Sequence, residues 1–308
     1  MIKNLIDQTI IGLQTGSIYA LIALGYTMVY GIVKLINFAH GDLLMVGAYV
    51  TYYGVEKGLP FSIAILISII FCAILGILID FFAYKPLRNA PRMSVLITAI
   101  GVSFLLESVA LIIFGAAPKV IKHEYIPKYF STTDSINIFN FSVSYLSVVV
   151  ILVSVLCMVL LHLFITYTKM GKATRAVAQD SNAASLMGIN SNLTISITFA
   201  IGSALGALGG VMYALMYPRI EPYMGIMPGL KAFIAAVFGG IGSITGSIVS
   251  ASFITIINEL LRQVSEYRVL IYSVVLIMIM IFRPEGLLGT SELTLKKIKE
   301  KIRKCYWK

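Results

Sequence analysis

With 308 residues, 58% of them apolar and 12% charged, and a mean hydropathy of +0.91, the chain is too oily for a soluble domain, which runs roughly half apolar and a quarter charged. No shift of composition and no Pro/Ser-rich linker divides residues 1–308, so one polytopic membrane domain is expected. The formal charge of +10 would favour nucleic acid in a soluble protein, but here the basic residues gather in short loops and a tail beside hydrophobic spans, where they meet anionic lipid and set topology; no nucleic-acid partner is indicated.

A helix needs roughly 20 apolar residues to cross the hydrocarbon. Residues 10–33 supply the first such run, and the N-terminal MIKNLIDQTIIGLQTGS lacks the charged start and small-residue cleavage site of a removable signal, so this span should be retained. A shorter run, 38–53, follows Lys34 and the polar cluster Asn37, His40 and Asp42. Residues 61–84 begin after Pro60 and end at Lys85-Pro86. Then come 94–114, a polar stretch 118–140, and 143–167. A polar island at 169–192, KMGKATRAVAQDSNAASLMGINSN, separates these from 193–216, 232–257 with glycines in its middle, and 270–282. The pattern predicts an all-α, polytopic transmembrane helical bundle of about eight membrane segments, some broken or re-entrant.

Loop charge orients the bundle. Lys85, Arg88 and Arg92 share a short loop without an acid; Lys169, Lys172 and Arg175 outweigh Asp180 in the island; the tail 291–308 is strongly basic. All three are expected to be cytoplasmic, the C-terminus included, with 118–140 outside. Lys3 and Asp7 cancel near the N-terminus, and its side stays open.

Two segments look internally broken, KLINFAHG at 34–41 and FGGIGSITGS at 238–247. Irregular backbone at membrane depth is tolerated where it is buried in protein or lines a cavity. Gly239, Gly240, Gly242 and Gly246 form either a tight turn between half-helices or a small-residue packing face, while Gly202, Gly206, Gly209 and Gly210 at helical spacing should let helices approach closely. Glu107 lies well inside its run, so it is either a structural carboxyl bonded to a neighbouring helix or a pore-lining group. His40 and Asp42, beside Asn37 at a helix break, divide the same way. Cys72 and Cys157 sit in apolar runs and Cys305 in the tail, with no CxxC pair; neither a disulfide framework nor a metal site is indicated. No phosphate loop, HExxH helix or GxSxG elbow occurs, so catalysis within this chain is not expected.

The island reads as helical. Lys172, Arg175, Gln179 and Asn182 form a polar stripe against Ala173, Ala176, Val177 and Ala184, Gly171 and Gly188 bracket it, and Asp180 or Ser181 would cap a second short helix. It is either an amphipathic helix resting on lipid or one that enters a partner's groove. Large aromatic anchors are absent, which favours the partner.

At this point NAASLMG, 182–188, resembles the EAAxxxG signature of permeases in ATP-binding-cassette importers, with Asn182 where the signature has Glu and without its apolar-Pro ending. Together with INFAHGDLLMVGAYV from Ile36, GKATRAVAQDSNAASLMGIN from Gly171, KAFIAAVFGGIGSITGSIVSA from Lys231 and FRPEGLLG from Phe282, it makes the chain resemble LivH-type permeases of branched-chain amino acid importers along nearly its whole length. That resemblance implies a bacterial inner-membrane permease paired with a LivM-like second permease. It further implies two cytoplasmic LivF/LivG-like ATPases and an extracytoplasmic binding protein delivering leucine, isoleucine or valine. ATP and Mg would then sit on the ATPases, leaving this chain without a cofactor and not an enzyme. The island becomes a coupling helix, with Lys172, Arg175, Asp180, Ala183, Ala184 and Gly188 at an ATPase groove. The substrate path is expected at Asn37, His40, Asp42, Glu107, Gly239 and Gly240. Urea, short-amide and sugar permeases share much of the pattern, and an ion-coupled carrier would instead use Glu107 or Asp42 without a cytoplasmic partner.

Overall fold

The computed structural model describes residues 2–34, 37–88, 90–127, 130, 135–138, 141–240, 246, 249–255, 268–282 and 286. Gly242, the tail 291–308 and Cys305 lie outside the described residues. In chain order the helices are α1 (Ile2–Val33), α2 (His40–Glu56), α3 (Phe61–Ile79), α4 (Arg92–Phe114), α5 (Tyr145–Tyr167), α6 (Lys169–Gln179), α7 (Ser181–Leu186), α8 (Ser191–Met216), α9 (Ile226–Gly239), α10 (residues 249–255) and α11 (Arg268–Phe282). Thr9–Val33, Phe61–Leu87, Met93–Phe114, Tyr145–Tyr167 and Ser191–Met216 are long and apolar enough to cross a membrane. With the shorter α2, α9 and α11 they give the all-α membrane bundle that the hydrophobic runs predict.

The arrangement inverts the rule of soluble proteins. The oiliest helices, α3, α4 and α5, keep most of their surface outward, with Leu66, Ile112 and Leu152 exposed, whereas α1 and α8, richer in Gly, Ala, Ser and Thr, are mostly buried. Lipid tails are as apolar as leucine, so helices associate where small residues admit close packing rather than where hydrophobicity is greatest. Helix α8 is the hub, touching α1, α2 and α3. At Gly210 an added Cβ would lie 2.0 Å from the Leu44 carbonyl oxygen of α2, and at Gly209 it would lie 2.9 Å from Ile22 of α1. The reverse contact, Gly76 of α3 against the backbone of Phe199, would put a Cβ 2.8 Å from that carbonyl oxygen. The small-residue run in α8 is therefore wedged among three helices.

Both suspected breaks occur. Helix α1 ends at Lys34, in the left-handed region at φ 53, and α2 starts from a turn in which His40 N–H donates to the Asn37 carbonyl. The run expected at 232–257 instead divides: α9 begins earlier, at Ile226, and ends at Gly240, whose φ of +102 no other residue type adopts easily. Helix α3 does not stop at Ile79 but widens into a π turn, Asp80–Tyr84, followed by a 3-10 turn, Lys85–Leu87.

One element was not anticipated. At the end of the polar stretch and just beyond it, β1 (Ser135–Ile138) pairs antiparallel with β2 (Phe141–Ser144), Ile136 opposite Val143. SINI and FSVS alternate polar and apolar residues, the period of a strand. Ser144 then caps α5, accepting from Ser147 N–H at 3.2 Å, so α5 starts at Tyr145 rather than Val143.

Candidate functional site

Two regions concentrate the polar chemistry. The first is a cavity of about 330 Å³ bounded by α1, α2, α4 and α9. Its back is a backbone-to-backbone contact: a Cβ on Gly225 would lie 2.3 Å from the Gly41 carbonyl oxygen, and one on Gly229 would lie 2.9 Å from Gly41 Cα. Its front is α4, which meets α2 and the π turn. Into this space come Asp42 from α2 and, one turn apart on the same face of α4, Ser103 and Glu107. The Ser103 hydroxyl donates to Asp42 Oδ2 at 2.5 Å. Glu107, only 6% exposed, has no hydrogen-bond or ion-pair partner among the described residues. Phe38, Phe104, Leu230 and Phe233 make the remaining wall apolar.

Of the residues expected to form a path, the structure thus brings Asp42 and Glu107 together and places the others elsewhere. His40 is buried behind the cavity, edge-on to Tyr26 at 4.5 Å, its Nε2–H donating to the Ile22 carbonyl at 3.2 Å and its Nδ1 without a partner. It fills the hollow between Gly25 of α1 and Gly206 of α8. Asn37 accepts from the Tyr84 hydroxyl at 2.9 Å and ties the α1–α2 break to the π turn. Gly239 and Gly240 end α9, where Gly286 packs so closely that its Cβ would lie 2.3 Å from Gly240 Cα. None of these four lines the cavity: Asn37, Gly239 and Gly240 lie at the helix breaks, and His40 packs between α1 and α8. Ser103, Tyr26, Gly225 and Gly229 were missed. Ser103 could have been found from its spacing of four before Glu107, and Gly225 and Gly229 from their GxxxG spacing.

The second region is the island. Thr168 caps α6, accepting from Gly171 N–H at 2.9 Å, so the helix starts before Gly171. Gly171 lies inside it, pressed on the end of α5, where a Cβ would lie 2.5 Å from Ile165 Cα. Asp180 caps α7, accepting from the N–H groups of Asn182 and Ala183. Gly188, at φ +82, closes α7: its N–H donates to Ser185, and that of Ile189 to Ala184. Val177 and Ala184 are buried in a hydrophobic cluster with Tyr84, Ile195 and Phe199, so Ala184 anchors α7 from beneath rather than facing outward. Lys172, Arg175, Asp180, Ala183 and Gly188 are exposed, with Arg175 donating to the Thr166 carbonyl. The apex is apolar: Leu186 is 89% and Met187 83% exposed, a pair that the attention to small residues passed over.

Between the regions lies a fixed joint. Asp80, fully buried in the π turn, accepts from Arg88 on both oxygens at 2.8 and 2.9 Å and from Ser196 of α8. Arg88 also donates to Asn192. Ser191, next to it, bonds Ser185 and the Ser181 carbonyl of α7. The short helix α7 is thereby bound to the base of α8, and α8 to the end of α3.

A family model described as "Branched-chain amino acid transport system / permease component" matches residues 8–283. The chain is 37% identical over 302 residues to the high-affinity branched-chain amino acid transport system permease protein LivH of Escherichia coli (strain K12), covering 93% of this chain and 96% of that one. It is equally similar, 37%, to the permease protein BraD of Pseudomonas aeruginosa, covering 94% and 98%. A probable branched-chain amino acid transport permease of Methanocaldococcus jannaschii is 25% identical over 299 residues, 92% of each chain.

Proposed function

The chain belongs to the branched-chain amino acid transport permease family and is a multi-pass inner-membrane permease subunit of such an importer; on that premise we propose that two ATPases of the LivF/LivG kind drive it, docked on the island. A LivM-like second permease completes the membrane pore, and an extracytoplasmic binding protein delivers leucine, isoleucine or valine. ATP and Mg sit on the ATPases. The island and the C-terminus face the cytoplasm, in keeping with the basic loops.

One observation carries the docking: α7 holds Leu186 and Met187 out in solvent while capped at both ends and anchored below by Ala184. Exposed apolar side chains on a fixed helix suit insertion into a groove. Lys172, Arg175, Asp180, Ala183 and Gly188 flank the insertion as its rim. Closure of the ATPases on ATP would displace α7, and the bonds from Ser191, Asn192 and Ser196 would carry the displacement to α8 and α3. ATP can shift the inward–outward equilibrium only by as much as its differential affinity for the two states.

Reconstitution in proteoliposomes with the partner subunits tests this. Leucine uptake should require ATP, and the pair Leu186→Ser with Met187→Ser should abolish co-purification of the ATPases while the chain still inserts. Uptake driven by a proton gradient without ATP would replace the reading with an ion-coupled carrier using Asp42 and Glu107.

A further inference from the structure

Cavities at membrane depth that contain ionisable groups require something to offset their charge. The one between α2 and α4 holds two acids, Asp42 and Glu107, and among the described residues no Lys, Arg or His lines it. Elsewhere the chain deals with such a group by supplying a partner, as Arg88 does for Asp80. Here the deficit is built in: Glu107 is 6% exposed and unpartnered among the described residues, and Asp42 is 2% exposed and met by the Ser103 hydroxyl alone.

The geometry of acceptors narrows the ligand. With its hydrogen given to Asp42, the Ser103 oxygen keeps lone pairs free, and so do Asp42 Oδ1 and the Glu107 carboxylate. Three acceptor groups converging from two facing helices suit a primary ammonium, which has three N–H donors and no acceptor. A bound Ca²⁺ would need six to eight oxygens and Mg²⁺ an octahedron of them, whereas the other walls are Phe38, Phe104, Leu230 and Phe233. Those walls instead suit an aliphatic group attached to the cation, and Tyr26 and Phe233, ring centroids 5.9 Å apart, add π-faces. The volume, about 330 Å³, lies at the small end of ligand pockets.

Resting on the permease reading above, we infer that this cavity is a substrate site that recognises the α-ammonium of an aliphatic amino acid through Asp42, Ser103 and Glu107, with the side chain against Phe104, Leu230 and Phe233. Because none of the described lining residues is a cation, the substrate's carboxylate faces the open side of the cavity. An uncharged urea, amide or sugar can donate hydrogen bonds to the acids but brings no positive charge to balance them, so the site favours an amine-bearing solute.

The test uses the full complex of this chain with its partner permease and ATPases, purified without the binding protein, and equilibrium binding of radiolabelled leucine. Unlabelled 3-methylbutylamine, which keeps the side chain and amine, should compete; 4-methylpentanoate, which keeps the side chain and carboxylate, should not. Asp42→Asn and Glu107→Gln should each weaken leucine binding by about tenfold or more, as expected for a lost hydrogen bond to a charged group. Competition by the carboxylate and not the amine, no leucine binding to the wild-type complex, or wild-type binding by both variants would overturn the inference. The competition arm uses unaltered protein, so it holds even where a variant fails to assemble. ATP-driven leucine uptake by the same wild-type complex, reconstituted with the binding protein added back, separates the two levels: uptake without amine competition removes this site alone, and no uptake removes the permease reading together with it.

Discussion

Asp80 and Glu107 are both carboxylates withdrawn from solvent, yet the fold treats them in opposite ways. Asp80 receives one arginine nitrogen, Arg88 Nη2, on both of its oxygens and a serine hydroxyl; Glu107 receives nothing from the described residues and faces a cavity. Leaving a buried polar group unsatisfied costs roughly 1–3 kcal/mol, and more when it is charged. Asp80 is met from within the fold, whereas on the inference above a ligand meets Glu107.

Removing the satisfied pair's cation should have the largest effect on stability. Arg88→Ala leaves Asp80 as an uncompensated buried charge, a loss of about 3–5 kcal/mol, visible as a collapse of the thermal transition of the purified complex. Glu107→Gln should leave that transition unchanged or raise it, because it removes a charge that none of the described residues balances; a loss as large as that of Arg88→Ala would erase the contrast. Gly210→Ala drives a Cβ against the Leu44 carbonyl, and about 1–3 kcal/mol of overpacking should lower the same transition. Asp180→Ala removes the cap of α7 at about 1 kcal/mol, read as faster amide exchange at Asn182 and Ala183 with the transmembrane helices unaffected. Smallest is Leu186→Ser, within about 0.5 kcal/mol for the chain itself, since a side chain 89% exposed touches little until a partner covers it.

The contrast also explains what could be read in advance. Hydrophobic length located the spans, and the breaks at Lys34 and Gly240 were legible because polar and glycine residues interrupt apolar runs. Asp42 and Glu107 stood out because an acid within a span is costly. Which of the polar residues face one another was not legible, because it depends on helix rotation: His40 and Asp42 are two residues apart, and one fills a hollow at α8 while the other lines the cavity. Asn37 and Tyr84 are 47 residues apart and bonded. The hairpin was hidden inside a stretch whose polarity masked its period of two. Leu186 and Met187 were hidden because apolar residues in an apolar chain draw no notice until the structure leaves them bare.

The widened turn at Asp80–Tyr84 has a consequence for the azimuth of α3. Its buried side follows Ala64, Ser68, Cys72, Gly76, Asp80 and Tyr84, a spacing of four throughout. An α-helix turns 100° per residue, so each step of four drifts by about 40°, and a further α step beyond Asp80 would carry Tyr84 about 40° past it. A π turn takes in an extra residue and holds that last step back, so that Tyr84 stays near the azimuth of Asp80. The span can thus be long enough for the bilayer and still present its last rungs, Asp80 and Tyr84, toward Ser196 and Asn37. Deleting one residue from DFFAY would shorten α3 by only about 1.5 Å but would rotate everything beyond the gap by about 100°, taking Arg88 and its loop out of register with the base of α8.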